Sequence, residues 1–151
     1  MSQLKYSTYD GVGKQALEDY YYSQAVRVPP NRVECSGQEI RIPPDMDFVG
    51  GWDPTSMEVS SDVDAQITQA FANIDLTLRT AGVEKGFDSV FSIKSYHVGA
   101  LDEVVFESMK KNMQKWMPGH RPIWTLVGVT ALGLPAMRVE IDVVAIDGKV
   151  E

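Results

Sequence analysis

Met137-Arg138-Val139-Glu140-Ile141-Asp142-Val143-Val144-Ala145-Ile146 is the stretch on which the reading of this chain turns. Met137, Val139, Ile141, Val143 and Ala145 alternate with other residues, so a strand places them on one face. Arg138, Glu140 and Asp142 take the other face, which becomes apolar at Val144 and Ile146. A strand with one fully apolar face needs something to cover it, and the segments upstream supply the cover. Val63, Ile67, Ala70, Phe71, Ile74, Leu78 and Ala81 recur at steps of three and four, the period of one helical face. Ser61 or Asp62 can cap that helix and Gly82 can close it in the left-handed conformation. A second helix is expected from Asp102 to about Met117, with Val105, Met109, Met113 and Trp116 on its inner stripe and Asp102 as its cap.

Between and around the helices lie further strands. Tyr20, Tyr21 and Tyr22 begin an aromatic stretch that suits a strand. Pro29, Pro30 and Asn31 form a turn, and Arg32 to Ser36 reads as the second arm of a hairpin that Gly37 ends or bulges. Asp88 to Val98 and Ile123 to Ala131 read as two more strands, and the residues up to Glu18 show no clear period. Pro43 to Ser60 reads as a long loop, of a length that is often functional. The expected architecture is α+β: a mixed β-sheet backed by two α-helices in one domain, residues 1–151. Two helices cover only one face of such a sheet, so the bare face is expected to pair with other copies.

Composition limits the function. The chain has 151 residues, 44% of them hydrophobic and 23% charged, ordinary values for a globular protein. Its formal charge is −7 and its pI about 4.8. Lys110, Lys111 and Lys115 are the densest basic cluster and fit the wet face of a helix, which counts against nucleic acid as a partner. No run of roughly 18 apolar residues marks a membrane span. Met1 to Asp10 lacks a basic-then-apolar leader pattern, so a cytoplasmic location is expected. Cys35 is the only cysteine. It reads as a small buried hydrophobe, since no neighbouring base would activate it. His97 and His120 form no metal-spacing motif, and no phosphate-binding glycine loop occurs, so no cofactor or metal is expected.

Ser23-Gln24-Ala25, Ser36-Gly37-Gln38, Gln66 with Gln69 and Asn73, Ala81-Gly82, Arg121-Pro122 and Val139-Glu140-Ile141 with Ala145 stand in the order and spacing of the Rid/YjgF family. The chain resembles that family from about Tyr20 to Ile146. The family was once labelled endoribonuclease L-PSP and includes reactive-intermediate deaminases. The resemblance implies a chorismate-mutase-like fold, a barrel-cored homotrimer, and small-molecule sites in clefts between subunits. Members that hydrolyse enamines and imines carry an arginine in the strand after the second helix, within Arg-Pro-x-Arg followed by Ser or Thr. Its fork holds the substrate carboxylate. Here the corresponding run is Arg121-Pro122-Ile123-Trp124-Thr125, and Trp124 stands in the place of that arginine. An indole offers one N–H and no charge.

The family's acidic residue on the last strand matches Glu140, expected as the catalytic carboxylate that orients water; the alternative is a solvent-facing residue on an alternating strand. The resemblance places Tyr22, Ser36, Gly37 and Trp124 around the substrate. Each has a structural alternative: a sheet aromatic, a turn serine, a backbone-geometry glycine, and a core or subunit-interface tryptophan. Arg121 is a candidate replacement cation, although its odd offset from Trp124 on a strand points it to the opposite face. The family's second-helix asparagine has no counterpart in register; Asn112 is near, but Met109 or Lys110 lies closer to its place. Three functions follow. One is an enzyme acting on a small reactive metabolite, with imine hydrolysis altered by Trp124. Another is a non-catalytic trimer that binds a metabolite or a protein. The third is a ribonuclease, against which the charge and the lack of a histidine pair both count.

Overall fold

The computed structural model describes residues 4–37 and 60–148, so all but the last residue of the Pro43 to Ser60 loop lies outside the described residues. Among the described residues six strands form one sheet: β1 (Lys5–Ser7), β2 (Ala25–Val28), β3 (Arg32–Cys35), β4 (Val90–Val98), β5 (Ile123–Val129) and β6 (Val139–Ile146). The order across the sheet is β1-β2-β3-β6-β4-β5. Of these neighbours only β4 and β5 run parallel; the others are antiparallel. Three helices accompany the sheet: α1 (Val12–Tyr20), α2 (Val63–Thr80) and α3 (Glu103–Trp116).

Register fixes the two faces of the sheet. Ile93 stands opposite Val143 and Ser95 opposite Ile141, while Trp124 and Leu126 flank them on β5. These side chains lie under the helices. Val139, Ile141, Val143 and Ala145 are buried there with Ile67, Phe71, Ile74 and Leu78 of α2 and Val105 and Met109 of α3. The opposite face carries Glu34, Lys94, Tyr96, Glu140, Asp142 and Val144, all partly or fully exposed. On β5 it adds the exposed Ile123, Thr125 and Val127. The mixed sheet is therefore as expected, and among the described residues α2 and α3 cover its other face.

The caps are local chemistry. Asp62 Oδ1 accepts from the N–H of Asp64 at 2.9 Å and so satisfies an orphan donor of α2. At its other end Gly82, at φ +82°, lets Val83 N–H reach the carbonyl of Leu78. Asp102 Oδ1 accepts from Val105 N–H at 3.3 Å and opens α3.

Two expectations need correction. The segment before Tyr20 is β1 followed by α1, so the sheet is accompanied by three helices rather than two. The tyrosine run is not a strand: Tyr20 ends α1, Tyr21 takes the left-handed conformation at φ 59°, and β2 starts only at Ala25. Tyr20 and Tyr21 are 65% and 95% exposed, so they lack the cross-strand and same-face packing that favours aromatic residues in strands.

Candidate functional site

The turn after β3 and the middle of β6 meet on the bare face of the sheet. Ser36 is tied back to the start of β2: its N–H donates to the Gln24 carbonyl at 2.9 Å, and its hydroxyl to the same oxygen at 3.1 Å. That pair of bonds sets the path of Gly37. The Glu140 carboxylate lies directly against Gly37, so close that a Cβ there would overlap Glu140 Oε1. Tyr22, half-buried, lies in the connection from α1 to β2, two residues before the Gln24 that holds Ser36. The structure thus gathers Ser36, Gly37 and Glu140, with the Tyr22 segment bonded to the same corner.

Trp124 is elsewhere. It lies on the edge strand β5, on the helix-covered face, half-buried. Its Nε1–H donates to Ser95 Oγ at 2.9 Å, and its ring meets Phe106 of α3 edge-on at 6.4 Å. The single donor of the indole is therefore committed within the chain. Glu140 and Trp124 stand on opposite faces, with β4 between their strands. One copy cannot present both to one small ligand. Arg121 precedes β5, and its exposed guanidinium donates to the His120 carbonyl at 3.1 Å. It therefore lies off the strand, where the alternation of faces does not govern it. Asn112 is buried between the helices, donating to Thr68 Oγ1 and to the Ser108 carbonyl.

Three neighbours on the bare face had no role expected from the sequence: Lys94, Tyr96 and Asp142. Tyr96 stands opposite Glu140 in register, and its hydroxyl donates to Asp142 Oδ2 at 3.3 Å. Burial raises the Asp142 carboxyl above the usual carboxylate range, opposed by the Tyr96 hydrogen bond and the Lys94 charge. Burial also raises the Tyr96 phenol, with the negative charge of Asp142 next. The alternation of β6 placed Asp142 on this face, but only the pairing of β4 with β6 shows that Lys94 and Tyr96 share it. Cys35 is buried and its thiol is pushed up to about 12, chiefly by desolvation, so it is no nucleophile. Among the described residues no group of three His, Cys, Asp or Glu side chains can hold a metal. Among the same residues no helix is long and apolar enough to cross a membrane.

His97 lies on the helix-covered face of β4, 1% exposed, and neither ring nitrogen has a hydrogen-bond partner among the described residues. Desolvation, followed by the Arg138 guanidinium, lowers its pKa from 6.5 to about 4. In that window the unfolded chain binds a proton that the native chain refuses. The contribution of His97 is thus complete above pH 6.5 and falls away as the pH drops toward 4. The expected slope for this one group is up to about 1.4 kcal/mol per pH unit. Urea unfolding of wild type and His97→Val at pH 7 and pH 4.5 checks it. Equal pH dependence in the two proteins would contradict the assignment.

A six-stranded mixed sheet with α2 and α3 on one face, and a carboxylate held against a glycine turn on the other, defines an α+β protein of the YjgF type. The family model described as endoribonuclease L-PSP matches residues 14–147, and the chain belongs to that family, which is also the YjgF/UK114/RidA family of solved structures. Protein YJGH is 27% identical with a TM-score of 0.71, the match covering 98% of this chain and 99% of that one. RidA from the Antarctic bacterium Psychrobacter sp. is 25% identical with a TM-score of 0.64, over 97% and 99% of the two chains. Rv2704 from Mycobacterium tuberculosis, a YjgF/YER057c/UK114 family member, is 23% identical with a TM-score of 0.67, over 95% and 99%. No curated protein sequence matches the chain.

Proposed function

We propose that this protein binds a small reactive metabolite in a cleft between copies of the chain and hydrolyses it as an imine or enamine, with a substrate range altered by Trp124. The observation that carries this reading is the carboxylate of Glu140 held against the backbone of Gly37 on the sheet face opposite α2 and α3. A homotrimer joined through that face would bring the Glu140 of one copy toward the β5 edge of the next. This removes the obstacle that Glu140 and Trp124 of one copy face opposite ways.

In the proposed step, water attacks the carbon of the protonated imine while Glu140 takes one proton from the water. The carbon–nitrogen bond of the resulting amino alcohol then breaks. Glu140 returns its proton to the nitrogen, which leaves as ammonia, and the hydroxyl proton passes through the same carboxylate to the ammonia, so that a carbonyl compound and ammonium remain. At the other side of the cleft Trp124 offers an aromatic wall without charge, because its only N–H already serves Ser95. A substrate carboxylate finds no bidentate cation there, so the preferred substrate is larger, aromatic or uncharged at that end.

The test is ammonia release from a panel of imines generated in situ, beside an active family member. The expected result is turnover of aromatic or uncharged imines and little of 2-imino acids with small side chains, with Trp124→Arg gaining the latter. Rapid hydrolysis of small 2-imino acids by the wild type would overturn the role given to Trp124. A protein that binds but turns over no imine, in wild type and Trp124→Arg alike, would be the non-catalytic binding trimer instead.

A further inference from the structure

α1 joins β1 to β2 at the edge of the sheet farthest from β5. On it Gly13, Leu17 and Tyr20 follow one another at steps of four and three, which puts them on one stripe. The ring of Tyr9 covers the start of that stripe, for a Cβ on Gly13 would stand 2.9 Å from Tyr9 Cδ2. Beyond it the stripe is open. Leu17 is 42% exposed and Tyr20 65%, and Tyr21 after them is 95% exposed. We infer that this end of α1 is a docking surface for an arginine-bearing segment of another protein. Glu18 and Asp19 take the guanidinium with Tyr20 and Tyr21 beside it, and an aliphatic neighbour covers Leu17.

Charge complementarity selects the occupant. From Asp10 to Tyr22 the chain carries three acids and one base. The base, Lys14, is already held by Asp10 at 2.6 Å. Glu18 and Asp19 lie in the last turn of α1, which has no base, and among the described residues neither enters an ion pair. The carbonyl end of a helix carries partial negative charge, so both acids work against α1 until a cation meets them. A second copy of the chain does not fit, because an isologous contact sets Glu18 and Asp19 against the same two acids. A simple cation leaves Leu17 and the tyrosine rings in water. Arginine uses the whole surface: its fork pairs with carboxylates and its plane lies flat on a tyrosine ring. Tyrosine and arginine are also the side chains that carry much of the binding energy at protein interfaces.

This inference does not rest on imine hydrolysis, because Gly37, Glu140 and Trp124 take no part in it. The left-handed backbone of Tyr21, at φ 59°, also supplies a clean variant. Glycine adopts that conformation at no steric cost, so Tyr21→Gly removes the ring and keeps the turn.

The experiment titrates the full chain with a synthetic peptide of three Ala-Leu-Arg repeats, following the backbone amide spectrum and the heat of binding. Two matched peptides replace arginine by citrulline, which keeps the shape without the charge, and by lysine, which keeps the charge without the planar fork. Saturable binding of the arginine peptide is expected, with spectral changes centred on Leu17, Glu18, Asp19, Tyr20 and Tyr21 and an affinity that falls with added salt. The citrulline peptide should bind about tenfold more weakly or worse, and the lysine peptide about threefold more weakly. Tyr21→Gly, and Glu18→Gln combined with Asp19→Asn, should each weaken the arginine peptide about tenfold in a protein whose amide spectrum stays dispersed. If one of these variants fails to fold, the other and the three-peptide comparison on wild type decide. The surface is refuted by absence of saturable binding, by the citrulline peptide binding as well as the arginine peptide, or by changes centred on Glu34, Glu140 and Asp142. Changes in the same α1 residues that follow protein concentration without any peptide would make a second copy the occupant and overturn the inference as well.

Discussion

Phe71→Ala lowers the stability of the fold by about 3–5 kcal/mol, the usual cost of truncating a fully enclosed phenylalanine. Phe71 has no exposed surface and sits at the middle of the buried stripe of α2. Its ring stacks on Phe87 with centroids 5.6 Å apart, and Phe87 in turn lies 5.2 Å from Trp116 at the end of α3. The three rings tie α2, the 3-10 turn Gly86–Ser89 and α3 together, so alanine removes the ring through which α2 stacks on that turn and leaves Phe87 held from the α3 side alone. Helix packing at both ends resists collapse into the gap, which places the cost toward the upper part of the range. For a chain of this size, each kcal/mol lowers Tm by roughly 2–4 °C, so a fall of about 6–20 °C accompanies it. Urea unfolding at fixed protein concentration reads the change, the fixed concentration being needed if copies associate. A loss below about 1 kcal/mol would mean that the helices repack without the ring.

Phe71 is legible in the sequence as a core residue because it belongs to a run with a strict helical period, capped by Asp62 and closed by Gly82. The same holds for α3 and for β6, whose period of two survives over eight residues. α1 is not legible in the same way, for physical reasons. It is short, Gly13 lies within it, and Gly11 before it makes no side-chain cap, so period, propensity and cap signals are all weak. The tyrosines after it carry high strand propensity, yet they end a helix and face solvent. Propensity lost there to a left-handed residue that no sequence rule assigns to tyrosine.

The site divides in the same way. Alternation within β6 is enough to put Glu140 and Asp142 on one face, and the resemblance singled out Glu140. Alternation within β5 says only that Trp124 faces away from Ile123 and Thr125. Which of these faces looks at the helices depends on how β5 registers against β4, and that is a tertiary fact. The same register decides that Lys94 and Tyr96 share a face with Asp142. A strand pattern thus yields parity, while a site needs parity to be matched across three strands.

Under the proposed imine hydrolysis, Gly37→Ala should cost about a hundredfold in turnover, while changing stability by less than about 1 kcal/mol. The added Cβ would overlap Glu140 Oε1 and stand 2.6 Å from Cδ and 2.7 Å from Cγ. The whole carboxyl end must then swing away, since the overlapping atoms belong to a side chain that can turn. Gly37 is not among the residues at positive φ, so alanine is admissible for the backbone and strain does not confuse the result. Glu140→Gln keeps the shape and removes the proposed base, and a loss of about 10²–10⁴ is expected from it on that proposal. Gly82→Ala is the contrasting case. At φ +82°, with Arg27 3.6 Å from the new Cβ, it strains the end of α2 and lowers stability, while turnover per folded molecule stays unchanged. Activity measured beside unfolding curves separates the three variants. Gly37→Ala with wild-type turnover would mean that the carboxylate works from a position other than the one against Gly37. In that event Asp142, on the same face and raised by burial, is the next carboxylate to replace.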